Sequence, residues 1–471
     1  MLILLSAVLA PQISSGQTLS IDECVQMALR ENKSVKAAEW KADQYMHTSK
    51  SLKANYFPRV SLQVADLWSS LGGKYEVDVA NPVSDLATRR VTELFPSFAL
   101  SDVGSWYLST LPDRLAAVNP EVSYKVGNIF SAMAQIEQPI YMGGKIKAGY
   151  TMGQLGERMA KIGVAISEDE VVLKTYEAYS LVNKAKEMQV VALQYDSLLV
   201  QIYNTVSSAA KNGMARQADL MKVQAAKSKS ELQIHQAENG LKLATMNLCQ
   251  IIGLPLLSRI DVNPVELSVD TREAVRSFDV SSRHEYEALD MQARIAEQKI
   301  NLERADFLPQ VGLVLAGGYL HGGQVINQTF FNNQMQATVA LSVKIPIFHA
   351  GEGNHKVAAA RAEYEQARLE QANLNEMMAL EIQQAVNELD EAELEERLNR
   401  NLMDEAAEGL RMSRKAYDHG METITDLLTA QTEWQNAYAQ YVESRHNYVI
   451  KQINLKKVTG NLKTNTFYEN Q

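Results

Sequence analysis

The sequence predicts an α+β membrane protein, a duplicated strand and long-helix repeat. As a trimer it would form a 12-stranded transmembrane β-barrel on a periplasmic α-helical barrel. Three observations predict this. Pro139, Ile140 and Tyr141 recur as Pro346, Ile347 and Phe348; Gly213 and Met214 followed by Asp219 and Leu220 recur as Gly420 and Met421 followed by Asp426 and Leu427; and the turn at Gly253 recurs at Gly460. The spacing is constant: 346 − 139 = 207, 420 − 213 = 207 and 460 − 253 = 207. Matched lengths mean matched rods lying side by side. Second, each half holds two alternating stretches of about ten residues, the length of a tilted transmembrane strand. Third, the helices between them are too long to fold back over so small a sheet.

Bulk properties narrow the class. The chain has 471 residues with only 11 Pro and 24 Gly, so little of it is linker. A net charge of −10 with 22% charged residues offers no basic face, which argues against a nucleic-acid partner. After the first ten residues no apolar run approaches the roughly 18–20 needed for a spanning helix. Residues 1–16, apolar through Ala10 and then small and polar, read as a secretory signal peptide without its basic start.

The elements follow in order. Residues 20–56 read as one helix opened by Ser20 and Asp22 and stopped by Pro58. A strand is predicted over about 58–69, with Val60, Leu62 and Val64 alternating against Ser61, Gln63 and Ala65. Residues 70–122, rich in Gly, Pro and aromatics, form an extracellular insertion too long to be a simple hairpin loop. A second strand covers about 124–138. A helix over 144–211 would run roughly 100 Å at 1.5 Å per residue; Gly213 breaks it, and a return helix spans 216–252. Residues 254–283 are an irregular linker. The second repeat, 284–460, replays the plan with strands at about 311–321 and 334–345, a Gly/Asn loop over 322–333, and helices over 352–418 and 423–459. Residues 461–471 are a tail.

Four strands cannot close. An open sheet edge in lipid leaves backbone N–H and C=O groups unpaired at several kcal/mol each, so further copies must complete the barrel. Two copies give eight strands, whose interior side chains fill it. Three give twelve, with a backbone diameter of roughly 24 Å and a water-filled lumen. A conduit therefore favours a trimer.

With these residues in place, nearly the whole mature chain resembles the TolC family of outer-membrane efflux and secretion channels. The resemblance rests on the duplicated plan and on the helix-ending Phe57 and Pro58, with Leu308 and Pro309. The paired Pro-Ile-aromatic strand ends and the tip signature Gly-x5-Asp-Leu at 213–220 and 420–427 complete it. It implies a homotrimer in the outer membrane of a Gram-negative bacterium with a large periplasmic part. It further implies contact with outer-membrane lipid and docking to a periplasmic adaptor (membrane fusion) protein and an inner-membrane pump. The chain would be a passive exit channel of a tripartite efflux or type I secretion system, gated at its helical tip. The runner-up reading is a soluble periplasmic coiled-coil adaptor or scaffold without a barrel.

The resemblance also implies roles at the tip. Tyr417 matches a tyrosine that helps hold the entrance shut, Asp426 an aspartate of a constricting ring, and Asp219 its partner aspartate. Glu422 stands where a gate arginine is often found and Thr429 where a second ring aspartate can occur, so Arg216 or Arg414 is left to supply a cation. Gly213, Met214, Gly420 and Met421 mark the turns expected to meet the adaptor. Read from chemistry alone, Asp219 and Asp426 also suit helix N-termini, as caps, and both roles can hold at once. Cys24 and Cys249 are either a disulfide pair or two buried thiols. No catalytic constellation, metal site or cofactor motif is found. His349 and His355 lack further ligands, Gly322 and Gly323 precede no phosphate-binding helix, and the acidic run from Glu388 to Glu396 reads as a solvated face.

Overall fold

A computed structural model describes residues 18–76, 121–264, 279–325 and 328–462, with isolated positions at 92, 102 and 105. The signal segment, nearly all of the 70–122 insertion between Glu76 and Glu121, the middle of the linker and most of the tail lie outside the described residues. The chain divides into two compact units. One comprises Met1–Leu52, Ala148–Ile300 and Val357–Gln471; the other comprises Lys53–Lys147 and Asn301–Lys356.

The elements run β1 (Thr18–Leu19), α1 (Ile21–Glu31), α2 (Lys33–Ala54), β2 (Arg59–Glu76), β3 (Glu121–Met142), α3 (Lys145–Lys211) and α4 (Gln217–Ile251). Then follow β4 (Asp261–Val262), α5 (His284–Ala305), β5 (Gln310–Val325), β6 (Gln328–Lys344), α6 (Glu352–Asp418) and α7 (Ile424–Val458). The repeat is kept to the residue. Helices α3 and α6 each have 67 residues, α4 and α7 each 35, and α2 and α5 each 22. No helix among the described residues is long and apolar enough to cross a membrane.

The sheet unit is antiparallel throughout, in the order β2-β3-β5-β6. Directly opposed residues share a face, so the register sorts the side chains. One face stacks Val60, Ile136, Leu315 and Val339 in one row, Leu62, Ala134, Gly317 and Ala337 in the next, and Val64, Ala132, Tyr319 and Met335 in a third. The other face carries Ser61, Gln135, Ala316 and Thr338, then Gln63, Met133, Gly318 and Gln336. The apolar face is bare: Val339 is 75% exposed and Met335 85%. From Val343 to Met335 it runs about 27 Å along the strand, or roughly 20 Å of height at a 40° tilt. Tyr141 lies at one end, and Tyr319, Phe130 and Trp68 lie at the other. An apolar band with aromatic margins is the profile of a lipid-facing barrel wall.

Two expectations differ from the structure. The strands hold 18, 22, 16 and 17 residues, longer than the expected ten, and β6 begins at Gln328, inside the expected 322–333 loop. Gly and Asn there read as turn residues, but each strand has a partner to pair with, and the ladder overrides local preference. The helix expected over 20–56 is two helices. Asn32 ends α1 in an extended conformation, its side chain accepting from the Ser34 N–H and donating to the Ile251 carbonyl. That local bonding offers the backbone an alternative to helix.

In the helical unit, α3 and α7 pack antiparallel. As α3 runs from Ser180 to Tyr195, its partners on α7 run back from His446 to Gln431. A core of Cys24, Val35, Tyr179, Leu248 and Ile252 joins α1, α2, α3 and α4. Cys24 and Cys249 are both buried free thiols, and burial pushes the Cys24 thiol up to about 12. The short parallel pair β1–β4 is bound in by the Tyr179 hydroxyl, which lies 2.8 Å from the Leu19 carbonyl and 2.9 Å from that of Asn263.

All four long helices end the same way. Glycines 213, 253, 420 and 460 adopt positive φ, and the next N–H reaches back five residues, as in Met214 to Ala209 and Met421 to Ala416 at 2.8 Å. This αL ending satisfies the last carbonyls, and glycine takes it without a Cβ penalty. The four sites differ in room. A Cβ on Gly420 meets nothing, whereas one on Gly253 would sit 2.5 Å from Glu31 Cβ. Gly420→Ala is therefore expected to cost about 1 kcal/mol of backbone strain, and Gly253→Ala about 3 kcal/mol once overpacking is added. Denaturation midpoints of the two variants would separate them; equal losses would contradict the assignment.

Asp169 on α3 supplies a pH-dependent contribution. Its side chain is 16% exposed, with His284 3.8 Å away. Burial pushes the carboxyl up to about 6, against the opposing pull of His284. A carboxylate raised above its unfolded value of about 3.9 binds more protons when folded. It therefore destabilises the fold when ionised above about pH 6, and that cost fades as pH falls toward 4. Asp169→Asn is expected to raise the unfolding temperature at pH 7–8 by the equivalent of about 2 kcal/mol and to change little near pH 4. A uniform shift across that range would show that the carboxyl does not carry the effect.

Candidate functional site

The α3–α4 and α6–α7 turns come together in the helical unit. Ile202, Val206, Val223, Ile424 and Leu427 form a buried cluster there, with Tyr203, Ala215, Leu220, Leu410 and Tyr417 packed on its edge. The structure thus brings the two predicted tips into one apolar cluster. Burial, with Asp219 and Asp418 nearby, raises the Tyr417 phenol above its ordinary range.

The two aspartates occupy equivalent positions, three residues into α4 and α7, so neither is itself the N-cap. Asp426 closes a capping box. Its Oδ2 accepts from the Thr423 hydroxyl at 2.6 Å and the Thr423 N–H at 3.0 Å, and its own N–H donates back to Thr423 Oγ1 at 3.3 Å. The Thr423 hydroxyl, and then its N–H, hold the fully exposed Asp426 carboxyl below the usual carboxylate range. Threonine followed three residues later by an acid is a helix-start pattern that accounts for this local geometry. Asp219 differs. Arg216 is the cap residue of α4 without a side-chain cap bond, and its guanidinium instead straddles Asp219, Nε to Oδ2 at 3.0 Å and Nη2 to Oδ1 at 3.3 Å. Asp219 is 15% exposed and Arg216 78%, so this pair is half tucked in.

Glu422, standing where an arginine was expected, accepts from the Ser413 hydroxyl across the base of its own hairpin. Arg414 donates to Gln201 Oε1 at 3.0 Å, and Lys222 donates to Thr425 Oγ1 at 2.9 Å. Those last two contacts cross from the first hairpin to the second. Sequence reasoning missed both, because no local pattern marks which polar residues will face each other across a helix pair. Met214 and Met421 are exposed at the turns. The Thr429 hydroxyl donates back to the Thr425 carbonyl at 2.9 Å. Among the described residues no group of His, Cys, Asp and Glu is arranged to hold a metal ion.

Comparison with known proteins agrees with this architecture. The family described as Outer membrane efflux protein matches residues 281–461. The proteases secretion protein PrtF of Dickeya chrysanthemi is 23% identical over 383 residues, covering 78% of this chain and 80% of that protein. The outer membrane protein TolC of Escherichia coli K12 is 23% identical over 350 residues, covering 71% and 70%. Among solved structures, the outer membrane protein VceC of Vibrio cholerae superposes with a TM-score of 0.70 at 14% identity, covering 93% of this chain and 96% of that one. The CmeC outer membrane channel of Campylobacter jejuni gives 0.71 at 16%, covering 94% and 85%. Over residues 281–461 the chain matches the outer membrane efflux protein family, and its duplicated helices and two-faced sheet give it the fold of solved outer-membrane channels such as VceC and CmeC.

Proposed function

We propose that the protein is the outer-membrane exit duct of a tripartite efflux or type I secretion system. It works as a passive conduit with no chemistry of its own. The observation that carries this reading is the sheet: among the described residues, four strands with one bare apolar face, one polar face, and unpaired edges at β2 and β6. Such a sheet is unstable in lipid unless copies of the chain complete it, and three copies leave an aqueous lumen.

The apolar plug at the tips is the candidate closure. Asp426, with Asp219 and Tyr417, lines the constriction. Three copies of Asp426 around one axis would repel one another and favour cations. Glu422 ties the second hairpin to itself through Ser413, so the cross-links to the first hairpin fall to Arg414–Gln201 and Lys222–Thr425. Arg216 is already engaged by Asp219. Opening needs a partner that binds the open tip better than the closed one. The turns at Gly213–Met214 and Gly420–Met421 present exposed methionines to such a periplasmic adaptor, with an inner-membrane pump behind it. Methionine suits a docking surface that must adapt. Relatives named for protease secretion favour a polypeptide cargo.

The test is oligomeric mass in detergent together with single-channel recording in a planar bilayer. A trimer with discrete conductance supports the reading. A monomer or a silent bilayer defeats it, and a soluble scaffold then takes its place.

A further inference from the structure

We propose that Lys344 forms a positive ring inside the barrel, at the end where the strands join the helices, and that this ring biases the lumen toward anions. The proposal rests on the channel reading above. The register puts Lys344 on the polar face, in line with Gln336, Thr338 and Ser342. Between Arg59 and Ser69, Gly127 and Glu137, Gln310 and Gly322, and Gln334 and Lys344, that face carries only three charged side chains: Arg59, Glu137 and Lys344. The rest is Gln, Ser, Thr and small or apolar residues.

Two of the three charges offset each other. Arg59 and Glu137 are directly opposed on β2 and β3, which places their Cβ atoms about 5 Å apart. Each is also held locally, Arg59 by Asn55 and Glu137 by Gln135, whose Nε2 donates at 2.7 Å. Lys344 is exposed and has no ion-pair partner among the described residues. The net is one positive charge per chain and three per barrel.

Barrel closure does not cancel it. β6 is an outer strand, so the strand completing its free edge is β2 of the next copy. On its polar face β2 carries Arg59 and no carboxylate up to Ser69; Asp66 pairs with Phe130 on the other face. Over Arg59–Ser69 that face of β2 offers Lys344 an arginine and polar, small or apolar side chains, but no carboxylate. Lysine on a sheet edge ordinarily deters aggregation, but this edge is consumed in the trimer, so that role is lost. A backbone radius of about 12 Å, shortened by the side chains, puts the ammonium groups within a Debye length (about 10 Å at 0.1 M salt) of the axis. Rings of lysine or arginine are a standard device for favouring anions in a pore.

The experiment uses the full-length trimer in planar bilayers under a potassium chloride gradient. Wild type, Lys344→Gln, Lys344→Glu and Ser342→Lys are compared. All four should conduct. The reversal potential should move toward potassium in Lys344→Gln and further in Lys344→Glu, and toward chloride in Ser342→Lys, which adds a second ring on the same face. If one lysine variant fails to insert, Ser342→Lys still reads the face. Conducting variants with unchanged reversal potentials would overturn the ring while leaving the channel intact. A wild type that does not conduct would overturn the channel itself.

Discussion

Val339→Arg is expected to abolish insertion of the protein into the outer membrane, whereas Gln336→Arg, three residues away on the same strand, is expected to leave it intact. Both positions are solvent-exposed in the single chain, so neither substitution breaks a packed core. In a water-soluble sheet each would fall within about 0.5 kcal/mol of neutral. In lipid the two faces separate. Val339 lies at the middle of the apolar band, opposed to Leu315, and an arginine near the bilayer midplane costs about 2–4 kcal/mol per copy, three times over in a trimer. Gln336 lies on the polar face with Gly318 and Gln63, where an arginine would meet water. Membrane-fraction yield and heat-modifiable mobility of the trimer measure the difference. Equal tolerance of both would mean that this face does not touch acyl chains, and the barrel would go with it.

Much of this was legible in the chain because turn chemistry is local. A glycine needed for positive φ, a proline that stops a helix and a Pro-Ile-aromatic strand end each announce themselves within a few residues. Their constant 207-residue spacing therefore implies helices of equal length in the two halves. The β faces were legible for the same reason, since alternation at Val60 to Ala65 and Met335 to Lys344 needs no partner to be seen. What the sequence hid depends on partners. The outer halves of β5 and β6 look like loop because Gly322, Asn332 and Asn333 are turn residues; only the neighbouring ladder makes them strand. Asn32 breaks a helix by bonding to Ile251, 219 positions away. Gln431 and His446 look like surface residues of α7 but lie buried against Tyr195 and Ser180 of α3. At the tip, Asp426 was readable both as a helix-start residue and as a ring residue. The capping box accounts for its conformation in one chain and leaves its outer surface free for the second role.

The tip offers the other large effect. Leu427 is 1% exposed within the plug, and truncating a buried leucine to alanine costs about 3 kcal/mol through lost burial and a residual cavity. If the plug exists only while the entrance is closed, that loss falls on the closed state alone and shifts the closed-to-open ratio by about 150-fold. Leu427→Ala should therefore leak, with longer open dwells and higher resting conductance in single-channel records. Asp426→Ala is the contrasting neighbour. It loses one charge per copy and a capping contact local to its own helix start, so its opening shift should be far smaller than that of Leu427→Ala, accompanied by a loss of cation preference that Leu427→Ala lacks. The pair thus separates closure by packing from selection by charge. Should Leu427→Ala stay as tightly shut as wild type while Asp426→Ala leaks, closure would belong to the polar ring, and the apolar cluster would be ordinary helix packing.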